Sequence, residues 1–187
     1  MDASRTQERV DTPVKQETPF GAFVSDPKGT DLTMGGSSFD GSPTIAGSEI
    51  QWHALGDRTD WQLILARTVF PPGTRPWFHT HHREDEGFFP LTGQITVTVL
   101  DENSERHKLV ANAGELVWAP RGYPHTFHVT SEEDADTIIA ATPGNPIDYF
   151  TRFQNLQLST PEEIEAFCEE SMRLYGFEFF PDIPLDA

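Results

Sequence analysis

Four of the seven histidines of the sequence lie in two short stretches, one of which also carries a run of acidic residues. His79 and His81 are two residues apart, so both side chains point to the same face of an extended segment. Glu86 begins the next β-prone run, and His125 begins another. If these faces all point into a small barrel, three imidazoles and one carboxylate converge. Three nitrogen ligands and one oxygen ligand suit a divalent transition metal and leave room for water or substrate.

The same residues are also compatible with purely structural roles. A His-x-His pair often occurs by chance at a protein surface. A histidine after a Pro-x-Gly turn, such as His125, is usually a surface residue. His82 is one residue out of phase with His81, so its side chain should face away from the other imidazoles. Glu84 and Asp85 are interpreted as solvated members of the acidic run.

Short β-prone runs separated by Gly/Pro turns surround these residues from Glu49 onward. Residues 94–100 alternate between apolar and hydroxyl side chains, a pattern typical of a half-buried strand. Many short strands without intervening helices predict an all-β sandwich or barrel. The other predicted strands lie within residues 61–70, 116–119, 125–129 and 137–141.

One helix is predicted near the C-terminus. Thr160 and Glu163 form a capping box around Pro161, and Gly176 is a suitable C-terminal cap. This amphipathic helix should pack on the outside of the barrel or against a second subunit. Its apolar stripe is predicted to comprise Ile164, Phe167, Cys168, Met172 and Tyr175.

These patterns divide the chain into three parts. Residues 1–48 are predicted to be an irregular segment, rich in Gly and Ser after Asp31, that is partly disordered or forms a lid. Residues 49–150 should form the barrel. Residues 151–187 should form the helix and a tail packed on that barrel.

Composition limits the classes of partner. The chain of 187 residues carries 30 Asp and Glu against 13 Lys and Arg, a net charge of −17, which disfavours nucleic acid and anionic membranes as partners. The single cysteine, Cys168, cannot form an intrachain disulfide and fits a reducing compartment. No signal peptide or membrane-spanning run is visible, so a cytoplasmic protein is expected.

Two spaced motifs give the sequence a family resemblance. The first stretch resembles cupin motif 1, G-x5-H-x-H-x4-E-x6-G, at Gly73, His79, His81, Glu86 and Gly93. The second resembles cupin motif 2, G-x5-P-x-G-x2-H, at Gly114, Pro120, Gly122 and His125. Val129 stands where the second motif often has asparagine. The resemblance implies a jelly-roll β-barrel with a metal ion held inside it by the three histidines and Glu86.

Within this superfamily the chain is similar to the single-domain quercetin 2,3-dioxygenase-like cupins. The points of likeness are the run HTHHREDEGFFPLTGQITV and the closing acidic helix followed by YGFEFFP. The resemblance implies a metal-dependent dioxygenase that acts on a small aromatic or flavonoid-like enol. In such enzymes the carboxylate corresponding to Glu86 also accepts the proton of the substrate hydroxyl. The resemblance further implies a homodimer, in which residues 1–48 are exchanged between the subunits.

Aromatic residues near the candidate ligands predict the character of the substrate site. Trp77 precedes His79 by two residues, and Phe88 and Phe127 follow Glu86 and His125 by two. If all three side chains point into the barrel, their rings would form an apolar wall suited to a planar organic substrate. An ordinary barrel core is an equally good interpretation of these residues.

Metal identity and reaction class stay open at this point. Iron, manganese, nickel, cobalt, copper and zinc all accept this ligand set. Besides the dioxygenase, the alternatives are an oxygen-independent isomerase, cyclase or lyase of natural-product metabolism, and a non-enzymatic small-molecule-binding cupin. A small molecule is the expected partner in every case, together with O2 if the protein is an oxygenase.

Overall fold

The computed structural model describes residues 14–17, 23–25, 30–33, 49–54, 59–144, 149, 156 and 158–185. Within these residues two antiparallel sheets dominate, accompanied by one two-stranded pair and one long helix. This architecture confirms the predicted all-β jelly-roll barrel. The described residues include no helix that is long and apolar enough to cross a membrane.

Every strand pairing in the described residues is antiparallel. The two-stranded pair joins β1 (Val14–Glu17) and β2 (Phe23–Ser25). The six-stranded sheet has the spatial order β10 (Val117–Ala119), β7 (Asp85–Pro90), β12 (Ala135–Thr142), β5 (Ile64–Phe70), β4 (Glu49–Ala54) and β3 (Thr30–Thr33). The five-stranded sheet has the order β13 (Phe177–Phe180), β6 (Phe78–His81), β11 (His125–Val129), β8 (Gln94–Leu100) and β9 (Arg106–Asn112).

Alternating side chains explain why the central strands fold as they do. Ile95 and Val97 of β8 are fully buried, while the intervening Thr96 is only half-buried, so one face of the strand packs inward. The predicted strands at 94–100 and 125–129 match β8 and β11 residue for residue. The inner cluster between the two sheets consists of Phe70, Phe88, Ile95, Val97, Ala111, Val117, Phe127, Val129 and Ala135.

The single long helix, α1 (Pro161–Tyr175), has the predicted capping box. Its N-cap Thr160 accepts a hydrogen bond from the backbone of Glu163, and Gly176 adopts the left-handed conformation with φ of 75°. The apolar stripe differs from the prediction at one position, because Met172 is 42% exposed. Ser171 takes the buried place instead, since it lies four residues from both Phe167 and Tyr175.

Helix α1 packs onto the barrel, as predicted, through a second group of buried residues. This helix cluster combines α1 with both sheets and with the segment before β6. Its members are Ile50, Trp52, Ile64, Ala66, Trp77, Ala141, Tyr149, Leu158, Phe167, Tyr175, Phe177 and Phe179.

The chain termini contribute more regular structure than predicted. The tail after α1 is not merely packed on the barrel, because β13 is an edge strand of the five-stranded sheet, paired with β6. The segment 1–48, predicted to be irregular, contains β1, β2 and β3. β3 extends the six-stranded sheet by pairing with β4, for example Leu32 opposite Ile50. The predicted disorder, lid and subunit exchange concern residues of this segment that lie outside the described ones.

Candidate metal centre

The two sheets contribute different parts of the candidate ligand set. His79 and His81 lie on β6, and His125 lies directly opposite His79 on the neighbouring strand β11. Glu86 comes from β7 in the other sheet. All four side chains offer ligand atoms within 4.8 Å of one another. The structure therefore brings together the four residues that the spacing predicts.

Two distances from the Glu86 carboxylate fit coordination of a shared metal ion. Oε2 of Glu86 is 3.4 Å from Nε2 of His125 and 3.7 Å from Nε2 of His81. The His79 ring lies 4.7 Å from the His125 ring and 5.0 Å from the His81 ring, centroid to centroid. Two atoms that each lie ~2.1 Å from one ion are separated by at most ~4.2 Å. The Glu86 oxygen is thus close enough to each of these two imidazole nitrogens to share an ion with it.

Backbone carbonyls orient two of the three imidazoles. Nδ1 of His79 donates to the carbonyl of Trp77 at 2.9 Å, and Nδ1 of His125 donates to the carbonyl of Tyr123 at 3.0 Å. Each bond assigns the proton to Nδ1 and leaves the lone pair on Nε2, the atom available to a metal. Nδ1 of His81 is buried and has no hydrogen-bond partner among the residues that the structure describes.

Burial keeps His79 and His81 in the protonation state that a metal requires. His79, His81 and His125 are all buried, with at most 9% of any of them exposed. Burial, followed by the charges of His125 and His81, lowers the pKa of His79 to about 3. Burial likewise lowers the pKa of His81 well below its ordinary value, with smaller contributions from His125 and His82. His79 and His81 are therefore neutral near pH 7, and the contact of His81 with Glu86 is not an ion pair.

The metal-free protein should lose stability on mild acidification. Because the pKa of His79 falls from 6.5 to about 3 on folding, the unfolded chain binds the proton more tightly. The contribution of the neutral histidine to the free energy of unfolding is fully present above pH 6.5. It decreases as the pH drops below that value, by about 1.4 kcal/mol per pH unit for each such histidine. Denaturant titrations of chelator-treated protein from about pH 7 down to about pH 5 measure this slope.

A matched pair of variants tests the origin of that slope. His79→Gln should reduce it. His107→Gln, which removes an exposed histidine, should change it less, because an exposed pair such as that of His107 with Asp101 contributes little to stability. Identical slopes in His79→Gln and the parent protein would contradict the assignment.

The aromatic surroundings of the histidines differ from the predicted wall. The Phe177 ring lies 4.3 Å from the His81 ring, and the Phe179 ring lies 5.5 Å from the His79 ring. Both phenylalanines belong to β13, which sequence reasoning missed. Its only local signal is the alternating run Phe-Glu-Phe-Phe at residues 177–180.

The three aromatic residues predicted as one wall fall into two clusters. Phe88 and Phe127 pack on each other at 5.1 Å in the inner cluster, whereas Trp77 belongs to the helix cluster. Trp77 precedes the first residue of β6, so the alternation of an extended strand does not apply to it. A role of these residues in substrate contact stays a prediction.

The acidic run before Glu86 also differs from its interpretation as a solvated face. Glu84 is only 1% exposed, because it lies in the connection between the two sheets, close enough to Arg121 for their charges to interact. Asp85 is half-buried and paired with Arg121, whose hydrogen bonds lower the pKa of the Asp85 carboxyl. His82 is exposed and bonded to Glu178, so it faces away from the other histidines as predicted.

Comparisons with known proteins find similarity over the barrel. Residues 66–140 match the family model described as "Cupin domain". A comparison with curated proteins gives no significant match. A protein assigned to ethanolamine utilization in Salmonella typhimurium LT2 is 16% identical over 72% of this chain and 96% of its own, with a TM-score of 0.53.

Two further solved structures show the same type of similarity. A predicted oxalate decarboxylase from Thermotoga maritima is 18% identical over 64% of this chain and 96% of its own, with a TM-score of 0.51. A capsular polysaccharide assembling protein from Staphylococcus aureus is 19% identical over 51% of this chain, with a TM-score of 0.44. The matched region spans only 26% of that Staphylococcus protein. The family match thus covers residues 66–140 of the barrel, and the Salmonella and Thermotoga structures show the same fold.

Proposed function

We propose that this protein is a metal-dependent cupin enzyme, specifically a dioxygenase that acts on a small aromatic or flavonoid-like enol. The observation that carries the proposal is the convergence of three buried histidines and one carboxylate in the barrel. Such a set suits a catalytic ion, since it leaves coordination positions open for water or substrate.

The protonation states of the ligand set favour an anionic substrate oxygen. A divalent ion held here would act as a Lewis acid that lowers the pKa of a substrate hydroxyl and holds it near O2. His79 and His81 are neutral, and Glu86 is the one carboxylate among the four residues. A divalent ion held by three imidazoles and one carboxylate would keep a net positive charge, which would attract an anionic substrate oxygen.

Glu86 is the residue proposed to accept the substrate proton. It is part of the cluster, yet 13% of its side chain is exposed, more than for His81 or His125. Its Oε2 atom faces Nε2 of both these histidines. A carboxylate that is partly accessible and adjacent to the metal position can take a proton from a hydroxyl bound there. Glu86 thus serves both as a ligand and as the general base.

The rings beside the histidines support an aromatic substrate. Phe177 and Phe179 cover the His81 and His79 rings on the side of β13, so the ligand set has apolar neighbours. Phe88 and Phe127, which follow Glu86 and His125 by two residues, are proposed to contact the substrate together with Trp77. Besides the substrate and O2, a second copy of the chain is the proposed partner.

Elemental analysis and oxygen uptake test the proposal together. The natively purified protein should contain about one transition-metal ion per chain. It should consume O2 with a flavonol or a related enol, and chelation should stop the uptake. The screen should include oxalate, which the name of the Thermotoga neighbour suggests as a substrate of that protein.

Anaerobic assays separate the reaction classes. Product formation that continues without O2 would contradict the dioxygenase and favour the isomerase, cyclase or lyase alternative. Metal retention without turnover of any screened substrate would favour a small-molecule-binding protein.

A further inference from the structure

The candidate ligand set is divided between two sheets that no backbone hydrogen-bond ladder joins at this point among the described strands. His79, His81 and His125 share neighbouring strands of the five-stranded sheet, which fixes their mutual spacing. Glu86 is on β7 of the other sheet, and no ladder joins β7 to β6 or β11 among the described strands. The distance from the carboxylate to the histidines therefore depends on contacts that connect the sheets.

One chain segment makes that connection directly. Ala119 of β10 pairs with Glu86 of β7, and the chain then turns over residues 120–124 and enters β11 at His125. The same turn is tied to β6, because the backbone N–H of Gly122 donates to the carbonyl of His81 at 2.9 Å. This turn thus adjoins three of the four candidate ligands.

Arg121 holds the turn against the residue next to Glu86. Its Nε and Nη2 atoms donate to the two carboxylate oxygens of Asp85 at 2.9 and 3.0 Å, and its backbone N–H donates to Oδ1 at 2.9 Å. Nη1 donates to the carbonyl of Arg83 at 3.0 Å, and Nη2 donates to the carbonyl of Thr142 at 3.3 Å. A bidentate arginine–carboxylate pair fixes the relative orientation of its two side chains and also adds binding energy.

We propose that Arg121, through its bridge to Asp85, is a positioning residue that holds the Glu86 carboxylate in place against the three histidines. This inference rests on the proposed metal centre. The hydrogen bonds of Arg121 reach none of the ligand atoms, and the residue acts by fixing the start of β7 relative to the turn that leads to His125. Its loss should let Glu86 move relative to the histidines while the fold persists, since an exposed ion pair contributes little to stability.

A second arginine–aspartate pair provides a matched control. Arg67 on β5 binds Asp136 on β12 through the same two donors, Nε and Nη2. The arginine side chains are similarly exposed, 43% for Arg67 and 45% for Arg121. Neither β5 nor β12 carries a candidate ligand. Arg67→Gln and Arg121→Gln therefore remove comparable interactions that differ in their relation to the metal centre.

Cobalt(II) titration of the chelator-treated protein, monitored by the visible absorption of the bound ion, is the experiment. Arg121→Gln should weaken cobalt binding by about 10–100-fold, the range found when a ligand loses an orienting partner. It should also change the spectrum, because the contribution of Glu86 to the coordination changes. Arg67→Gln should retain the affinity and spectrum of the parent protein, and Arg121→Lys, which keeps the charge without the planar fork, should recover only part of the loss.

The outcomes distinguish this role from the metal centre itself. Parental affinity and spectrum in Arg121→Gln would overturn the positioning role alone, whereas absence of cobalt binding by the parent protein would overturn both. If Arg121→Gln fails to fold, Asp85→Asn, which alters the bridge with almost no change in shape, decides in its place. Weaker binding and a changed spectrum in Asp85→Asn support the role, and parental behaviour overturns it.

Discussion

Alanine at both His79 and His81 should leave the protein unable to retain a metal ion through purification. The two side chains supply two of the three nitrogen ligands in the cluster, and both are held on one strand beside His125. Loss of a partner that merely orients a ligand costs about 10–100-fold in affinity, so removal of the ligands themselves should cost more than that. Elemental analysis of the natively purified variant measures the loss.

His82→Ala is the control for this experiment. His82 directly follows His81 in the chain, but its side chain is exposed and bonded to Glu178. The His82→Ala variant tests whether the loss of any histidine in this stretch lowers the metal content. It should retain the metal of the parent protein. Circular dichroism of the double variant should show the parental strand content. Full metal retention in a folded double variant would falsify the site assignment.

Glu86→Gln should lower the turnover number by about 10²–10⁴-fold with the enol substrate that the oxygen-uptake screen identifies. The amide keeps the size of the carboxylate but cannot accept the substrate proton. The three histidines remain, so the variant should still bind metal, although more weakly. Comparison at saturating metal separates the loss of the base from the loss of a ligand.

Glu133→Gln is the matched control, because Glu133 is an exposed acid in the turn after β11. It removes the same charge from the chain and should leave turnover unchanged. Parental turnover in Glu86→Gln at saturating metal would show that another group accepts the proton.

Three of the four candidate ligands were predictable because their signal is local. The spacing of His79, His81 and Glu86 lies within one stretch, and alternation along an extended chain is a reliable guide to side-chain direction. The capping box at Thr160 and the alternating strand β8 depend likewise on neighbouring residues. For these elements the short-range preferences and the final fold agree.

The elements that sequence reasoning missed depend on distant partners. β13 forms because β6 is available to pair with it, and β3 forms because β4 is available to pair with it. Neither pairing is visible in the local sequence. Glu84 was taken for a solvated acid, since nothing near it in sequence reveals that the connection between the sheets is buried. The bridge from Arg121 to Asp85 could not be predicted from the local sequence either, because the two residues are distant in the chain.

The position of β13 has a consequence for the order of folding. Four register pairs join β6 to β13 and one joins β6 to β11, so the strand that carries His79 and His81 finds its hydrogen-bonding partners only in much later parts of the chain. Contacts of such long sequence separation form slowly, since a large loop must close first. The histidine pair should therefore be ordered late, after β8 and β9 have formed their hairpin. Metal would then be captured by a nearly complete barrel, and could not serve as the nucleus on which the barrel folds.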